Sequence, residues 1–156
     1  MEIFLNNFKE EGDAFSEINV INILKDVIQV SSLANTIAGN FQIGISIVSS
    51  EEIQKLNLEY RGKDQPTNVL SFGTNNHLKD KDSPFLGDIV LCKEIIEKEA
   101  KEYLKTYENR LKHMIIHGFL HLIGFNHEEN HERMSMEEIE IPVSYTHLRA
   151  HETHID

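Results

Sequence analysis

Three histidines in the C-terminal half of the chain have the spacing of metal ligands. His117 and His121 are four residues apart, so both imidazoles lie on one face of a helix, about one turn apart. In this arrangement two nitrogens can meet one metal ion at about 2.0–2.1 Å. Gly124 permits the positive φ that ends the helix, and the reversed chain can bring His127 to a third ligand position. We therefore expect a metal centre formed by His117, His121 and His127.

Three neutral nitrogen ligands leave a fourth position for water, which is typical of a catalytic rather than a structural zinc site. Such a metal lowers the pKa of that water towards about 7 and supplies hydroxide near neutral pH. The ligand set suits one Zn²⁺ per chain, although nickel, cobalt or copper would also bind three imidazoles. The alternative is a helix with scattered histidines, but ligand type, spacing and helix breaker all favour metal binding.

Two neighbours of these histidines bear on the chemistry. The spacing is also that of zinc peptidases in which a glutamate directly follows the first histidine and acts as general base. Gly118 holds that position here, so peptide hydrolysis would lack its proton acceptor. His113 lies one turn before His117. It could donate a hydrogen bond to a metal-ligating residue or contact a phosphate. We expect instead a partly buried surface histidine without a chemical role.

A second group of chemistry-bearing residues lies in the stretch LNLEYRGKDQPTNVLSF. Arg61 presents a planar fork that suits two phosphate oxygens, and Lys63 adds a point charge. Thr67, Asn68 and Ser71 can donate hydrogen bonds to a nucleic-acid backbone or a base edge. We take Lys63, Asn68 and Ser71 as candidate substrate contacts. The alternative is a solvated loop whose proline and aspartate shape a turn.

Asp88 begins a short apolar run, GDIVLC, and has several possible roles. Its carboxylate could orient a ligand histidine. It could equally pair with Lys63 or Arg61, or cap a turn.

Composition limits what these residues can do. The chain has 156 residues, 40% of them hydrophobic, and a single cysteine, Cys92, so it is long enough for one domain and has no internal disulfide. We find no membrane-length apolar run and no basic leader, and we expect a cytoplasmic protein. The net charge of −11 disfavours nonspecific binding to a polyanion. Eleven bases fall between Lys55 and Lys112, so an anionic ligand should bind the middle third of the chain.

The elements that position these residues follow from periodicity and capping signals. They are a strand over 3–5, a helix capped by Ser16, a strand over 41–47, a helix opened by a capping box of Ser49 and Glu52 and stopped at Pro66, strands over 69–72 and 89–92, a helix over 93–107, a helix from about 109 to 122, and an acidic last helix over 128–140. This order predicts an α+β fold with a small mixed sheet packed with helices. We assign residues 1–141 to one domain and 142–156, ending in SYTHLRAHETHID, to a non-native or disordered tail.

Three motifs, LNLEYRGKDQPTNVLSF, FLGDIVLC and HGFLHLIGFNH, occur in this order and resemble the bacterial endoribonuclease YbeY family of rRNA maturation factors. The resemblance covers roughly residues 1–140. It implies an α+β fold with a metal-bearing helix and a metal-dependent, single-strand-specific endoribonuclease. By the same resemblance, His117, His121 and His127 are the zinc ligands, and Arg61 is the basic residue needed for activity.

The resemblance also implies a role in small-subunit rRNA 3′-end maturation and ribosome quality control. The expected partners are ribosomal RNA, the small ribosomal subunit and its associated factors. One departure is Asn126, where the family usually has aspartate before the third histidine. Asparagine keeps a hydrogen bond there but loses the charge. A second departure is the tail.

Three functions therefore remain open at the level of sequence. The first is a zinc-dependent endoribonuclease, in which Arg61 stabilises transition-state charge. The second is a ribosome-assembly factor whose metal mainly holds the fold. The third, a metallopeptidase, is disfavoured by Gly118.

Overall fold

The computed structural model describes residues 1–30, 40–73 and 85–124. This part of the chain forms four strands and four helices, with a short 3-10 turn at Asp13–Phe15. In chain order they are β1 Glu2–Asn6, α1 Glu17–Val30, β2 Gln42–Val48, α2 Ser50–Arg61, β3 Val69–Gly73, β4 Phe85–Cys92, α3 Lys93–Glu102 and α4 Tyr107–Leu122. His127, Asn126, the acidic last helix and the tail lie outside the described residues.

The four strands form one mixed sheet in the order β1-β2-β4-β3. β1, β2 and β4 are mutually parallel, and the edge strand β3 is antiparallel to β4. The sequence prediction of an α+β fold with a small mixed sheet is confirmed. All four predicted strands are present, although some of their bounds differ. β4 begins at Phe85, four residues before the predicted start, and Phe41 precedes β2 and accepts a hydrogen bond from the Glu2 amide through its carbonyl.

One face of the sheet, here called the closed face, is covered by α1 and α4. Alternate strand residues point to this face, because successive side chains of a strand leave opposite sides. The apolar ones are Ile3, Ile43, Ile45, Ile47, Val69, Ile89 and Leu91. They pack against buried residues of both helices to form the main core, which includes Val20, Leu24 and Val27 of α1 and Leu111, Met114, Ile115 and Phe119 of α4.

The opposite face, here called the open face, is covered by α2 over β3 and β4. Ile53 of α2 packs there on Leu70, Val90 and Cys92 in a second, smaller core. The part of this face formed by β1 and β2 carries mainly polar side chains. Asn6, for example, donates to the Ser46 hydroxyl at 3.2 Å, and Gln42 donates to Glu2 at 3.2 Å.

Helix ends match the capping signals more closely than the apolar periodicity. The capping box of Ser49 and Glu52 opens α2 as predicted. The helix ends at Gly62, which adopts a left-handed conformation with φ 72°, and not at Pro66. Both helices predicted over 93–122 are present, but the boundary between them differs. α3 begins at Lys93 as predicted and ends at Glu102 instead of near 107, and Thr106 caps α4 by accepting a hydrogen bond from the Asn109 amide.

Candidate active site

Two of the three predicted metal ligands lie together on α4. The His117 side chain is fully buried, and His121, one turn later, is partly exposed. Their Nε2 atoms are 2.8 Å apart, and their ring centroids are 4.5 Å apart. The two imidazole nitrogens lie within hydrogen-bond distance of each other, and they are of the donor type that zinc binds.

His127, the third predicted ligand, lies outside the described residues. Within the described ranges no group of three or more histidine, cysteine, aspartate or glutamate side chains could hold a metal. The pair formed by His117 and His121 fits a zinc ion in donor type but requires a further ligand, and that third ligand stays a prediction.

His113 is more buried than the sequence suggested. We expected a partly buried surface histidine, whereas its side chain is 1% exposed and its ring centroid lies 6.4 Å from that of His117. Burial, reinforced by the charge of Arg110 and by His117, holds the pKa of His113 well below its usual value. The ring is therefore neutral at physiological pH and forms part of the closed-face core beside the two converging imidazoles.

Gly118 lets α4 lie directly on the sheet. A Cβ at this position would stand 2.7 Å from Ile89 Cγ2 and 3.2 Å from the Ser71 hydroxyl. Ser71 donates a hydrogen bond of 2.9 Å to the Gly118 carbonyl, which ties β3 to the helix that carries the histidines. A glutamate at position 118 would have no room, so the packing as well as the sequence disfavours the peptidase mechanism. Ser71, predicted as a substrate contact, is engaged with α4.

Asn68, the second predicted substrate contact, directly precedes β3 and is buried. Its side-chain amide donates to both carboxylate oxygens of Glu99 at 3.1 and 3.2 Å. Arg110, fully buried on α4, donates to the same carboxylate from Nη2 at 3.0 Å and from Nε at 3.2 Å. Its guanidinium also stacks over the Tyr103 ring at 5.2 Å. These contacts hold β3, α3 and α4 together, and they occupy Asn68 fully.

Sequence reasoning missed Glu99 and Arg110. A signal was present, because Arg110 lies three and seven residues before His113 and His117 and so shares their helix face. An arginine on a face that must be buried needs a buried carboxylate partner. Glu99 on the preceding helix meets that need.

Arg61 and Lys63 are exposed at the end of α2. Arg61 is the last helical residue, and the Lys63 amide donates to the Asn57 carbonyl at 3.3 Å in the turn that follows. Arg61 forms no ion pair with any residue of the described ranges. α2 packs on the open face and α4 on the closed face, so the two predicted parts of the site lie on elements that the sheet separates.

Among the described residues, Asp88 does not pair with His117, His121, Lys63 or Arg61; a contact with His127 lies outside them. It lies in β4 with its side chain on the open face, away from α4 and the histidines. It lines a groove of about 350 Å³ together with Ser46, Leu56, Tyr60, Phe72 and Val90.

Similarity to known proteins was found over most of the chain. A family model described as Endoribonuclease YbeY matches residues 5–145. A relative named Endoribonuclease YbeY from Buchnera aphidicola subsp. Schizaphis graminum is 51% identical over 98 residues, which are 63% of this chain and 61% of the relative. The chain thus spans less than two thirds of that protein. Relatives of the same name from Buchnera aphidicola subsp. Acyrthosiphon pisum and Hydrogenovibrio crunogenus are 47% and 42% identical.

The latter two alignments cover 70% and 74% of this chain and 71% and 75% of the relatives. Among solved structures, the solution structure of TM1509 from Thermotoga maritima is similar, with a TM-score of 0.56 and 25% sequence identity. That match covers 99% of this chain and 96% of the other. In the described residues no helix is both long and apolar enough to cross a membrane.

Proposed function

The chain belongs to the Endoribonuclease YbeY family, and from this premise we propose that it is a zinc-dependent, single-strand-specific endoribonuclease. We place its action in small-subunit rRNA 3′-end maturation and ribosome quality control in the cytoplasm. Its partners are ribosomal RNA, the small subunit and associated factors. The observation that carries the proposal is the convergence of the His117 and His121 Nε2 atoms at 2.8 Å on a helix held rigidly against the sheet.

His117, His121 and His127 would hold the zinc ion. When bound, zinc polarises a phosphoryl oxygen and makes a nucleophile available near neutral pH. The chain's own residues position this chemistry. Ser71 fixes the main chain of α4 at Gly118, and burial keeps His113 neutral, so its ring adds no positive charge beside His117.

Arg61 and Lys63 supply positive charge for the RNA backbone. The Arg61 guanidinium can donate two parallel hydrogen bonds to phosphate oxygens, while Lys63 attracts phosphate as a point charge. Both side chains are exposed, and Arg61 has no competing carboxylate among the described residues. Because the chain as a whole is acidic, this local pair is important for RNA docking.

The metal is tested by elemental analysis of the purified full chain. We expect about one zinc per chain, and we expect His121→Ala to lose it because one of two converging nitrogens is removed. His131→Ala removes a histidine to which we assign no role and serves as the matched control. Folded protein without bound metal, or equal zinc content in all three proteins, would contradict the metal assignment.

The activity is tested by cleavage of a single-stranded RNA. Arg61→Ala should lower the cleavage rate by about 100-fold or more, the usual effect of losing a group that stabilises transition-state charge, with zinc content unchanged. Lys55→Ala, another exposed cation of α2, is the control. Unchanged cleavage in Arg61→Ala would refute its role. Zinc-loaded protein that cleaves no RNA, and that loses most of its stability without metal, would favour the assembly factor.

A further inference from the structure

A row of side chains crosses the open face of the sheet beside α2. The strand register pairs Phe4 with Gly44, Gly44 with Asp88, and Asp88 with Phe72. Aromatic rings therefore lie on both sides of one carboxylate. Tyr60 of α2 completes the groove, since its ring meets Phe72 edge-on with centroids 5.0 Å apart.

The Asp88 side chain is exposed, and its carboxylate has no hydrogen bond or ion pair with another described residue. Leu56, Phe72 and Val90 line the groove beside it. Partial burial raises the pKa of this carboxyl above its usual value. An exposed carboxylate without a partner among the described residues is available to accept hydrogen bonds from a ligand.

Gly44 determines where this carboxylate lies. A Cβ at position 44 would stand 2.2 Å from Asp88 Oδ1, and the other atom that it would approach, at 3.4 Å, is Cγ of the same side chain. The Asp88 side chain thus leans over the neighbouring strand into space that any larger residue would occupy. The absence of a side chain at Gly44 keeps the carboxylate in the groove.

An exposed aromatic ring lines the groove, and two basic residues follow it in the sequence. Tyr60 is 61% exposed, which is high for an aromatic residue, and offers a ring face to a planar ligand. Arg61 follows it directly, and Lys63 is two residues further on. A ligand with a planar polar ring and an attached phosphate would satisfy the tyrosine, the carboxylate and the cations together.

We propose that this groove binds one unpaired guanine base of the RNA substrate, which stacks on Tyr60 and donates to Asp88. Guanine carries two parallel donors, N1–H and the exocyclic amino group, that match the two oxygens of a carboxylate. Adenine and uracil lack this pair of donors. A volume of about 350 Å³ is at the small end for ligand sites and suits one nucleotide.

The inference rests on the proposed function, which makes RNA the ligand. It adds a preference for guanine, bound on the open face of the sheet, opposite the face that carries the histidines. Arg61, the last residue of the same helix, is exposed and is the described cation nearest to Tyr60 in the sequence, so we expect the adjoining phosphate to reach it. The RNA strand could then pass the edge of the sheet at β3 towards α4. Leu122 of α4 lies close to this edge, since a Cβ on Gly73 would stand 3.5 Å from its side chain.

The test measures binding, so that it does not depend on cleavage. Fluorescence anisotropy of the zinc-loaded full chain would use 2′-O-methyl oligouridylates eight residues long, which carry one central guanine or one central inosine. Inosine lacks only the exocyclic amino group. We expect the guanine probe to bind at least fivefold more tightly.

Two variants address the carboxylate, and one addresses the ring. Asp88→Asn keeps one acceptor and should remove the preference for guanine over inosine. Gly44→Ala keeps the charge but displaces the carboxylate and should reduce the same preference. Tyr60→Ala should weaken the binding of both probes equally, by about 5- to 100-fold, because stacking does not depend on the identity of the base.

Glu59→Gln is the matched control, since it removes one exposed negative charge next to Tyr60 without changing the groove lining. It should slightly strengthen the binding of both probes and leave the ratio of the two affinities unchanged. Equal binding of guanine and inosine by the unaltered chain, or an unchanged ratio in Asp88→Asn, would overturn the proposal. A guanine preference without any cleavage would leave the pocket standing and remove the nuclease function instead.

Discussion

On the closed face of the sheet, α1 and α4 bury the main core, and α4 carries a buried arginine paired with a glutamate, whereas on the open face α2 leaves a groove lined by an exposed carboxylate without a partner among the described residues. Arg110, Glu99 and Asn68 illustrate the first arrangement, in which one carboxylate accepts hydrogen bonds from two partners. Asp88 illustrates the second. Tight packing on one side holds the histidine helix rigidly, and loose cover on the other side leaves space for a substrate.

This difference assigns separate tasks to the two faces. The closed face fixes distances, as the contact of Gly118 with Ile89 and Ser71 shows. The open face presents Tyr60, Arg61 and Asp88, which are exposed or line a groove. Residues of the first kind should therefore affect stability, and residues of the second kind should affect RNA binding or cleavage.

The two arginines give the largest expected contrast. Arg110→Ala would leave the Glu99 carboxylate without its cation in a largely buried position, and we expect it to lower the free energy of unfolding by about 3–5 kcal/mol. Arg61→Ala should change that free energy by less than about 0.5 kcal/mol because its side chain is exposed. Urea unfolding of the two variants measures both values.

A double variant shows whether the Arg110 effect comes from the ion pair. Glu99→Gln combined with Arg110→Ala should cost less than the sum of the single changes, since the stranded charge is removed. Equal losses from Arg61→Ala and Arg110→Ala would mean that the two faces do not differ in this way.

Two glycines give a smaller contrast across the same sheet. An added Cβ at Gly118 meets the stiff, branched Ile89 side chain, and such overpacking costs about 1–3 kcal/mol. Alanine regains up to about 1 kcal/mol of helix propensity, so we expect Gly118→Ala to lose up to about 2 kcal/mol. Gly44→Ala should stay within about 0.5 kcal/mol, because its Cβ meets only the Asp88 side chain.

Thermal and urea unfolding of both variants compare these effects directly. A more stable Gly118→Ala protein would show that α4 is not in close contact with the sheet. The Ser71 bond to the Gly118 carbonyl would then no longer explain how the histidine helix is held.

The sequence predicted what is encoded locally, and it missed what depends on contacts between distant residues. The capping box of Ser49 and Glu52 and the four-residue spacing of His117 and His121 are local signals, and the structure confirms the elements they define. The apolar pattern of α3 continues through Leu104, yet that side chain is 92% exposed in a left-handed turn with φ 56°. Periodicity alone could not show that the helix had ended.

The candidate site shows the same division. Arg61 and the histidines were identified from residue type and spacing, but their placement on elements that pack on opposite faces of the sheet needed the structure. Asn68 was taken as a substrate contact because the sequence does not reveal that Glu99, 31 residues later, accepts its hydrogen bonds. Asp88 was assigned alternative roles because a strand pattern does not show what lies across the sheet.

The smallest expected effect concerns the stability contributed by Asp88. Because partial burial raises its pKa in the folded protein above the ordinary value of 3.8, ionisation of Asp88 opposes folding. This cost is absent at a pH well below 3.8 and grows as pH rises through the folded pKa. The side chain is exposed, so solvent screens most of the effect, and Asp88→Asn should stabilise the protein at pH 7 by no more than about 0.3 kcal/mol, a gain that disappears at low pH.

Urea unfolding between pH 3 and pH 8 measures the difference in the free energy of unfolding between Asp88→Asn and the unaltered chain. Glu59→Gln is the control for the loss of one negative charge from a chain of net charge −11. Asp88→Asn should gain more than this control at pH 7. A loss of stability would mean that the fold itself uses the carboxylate, which would then not be free to receive a base. A gain means that the fold tolerates Asp88 at a cost, which is expected of a residue that serves a ligand rather than the core.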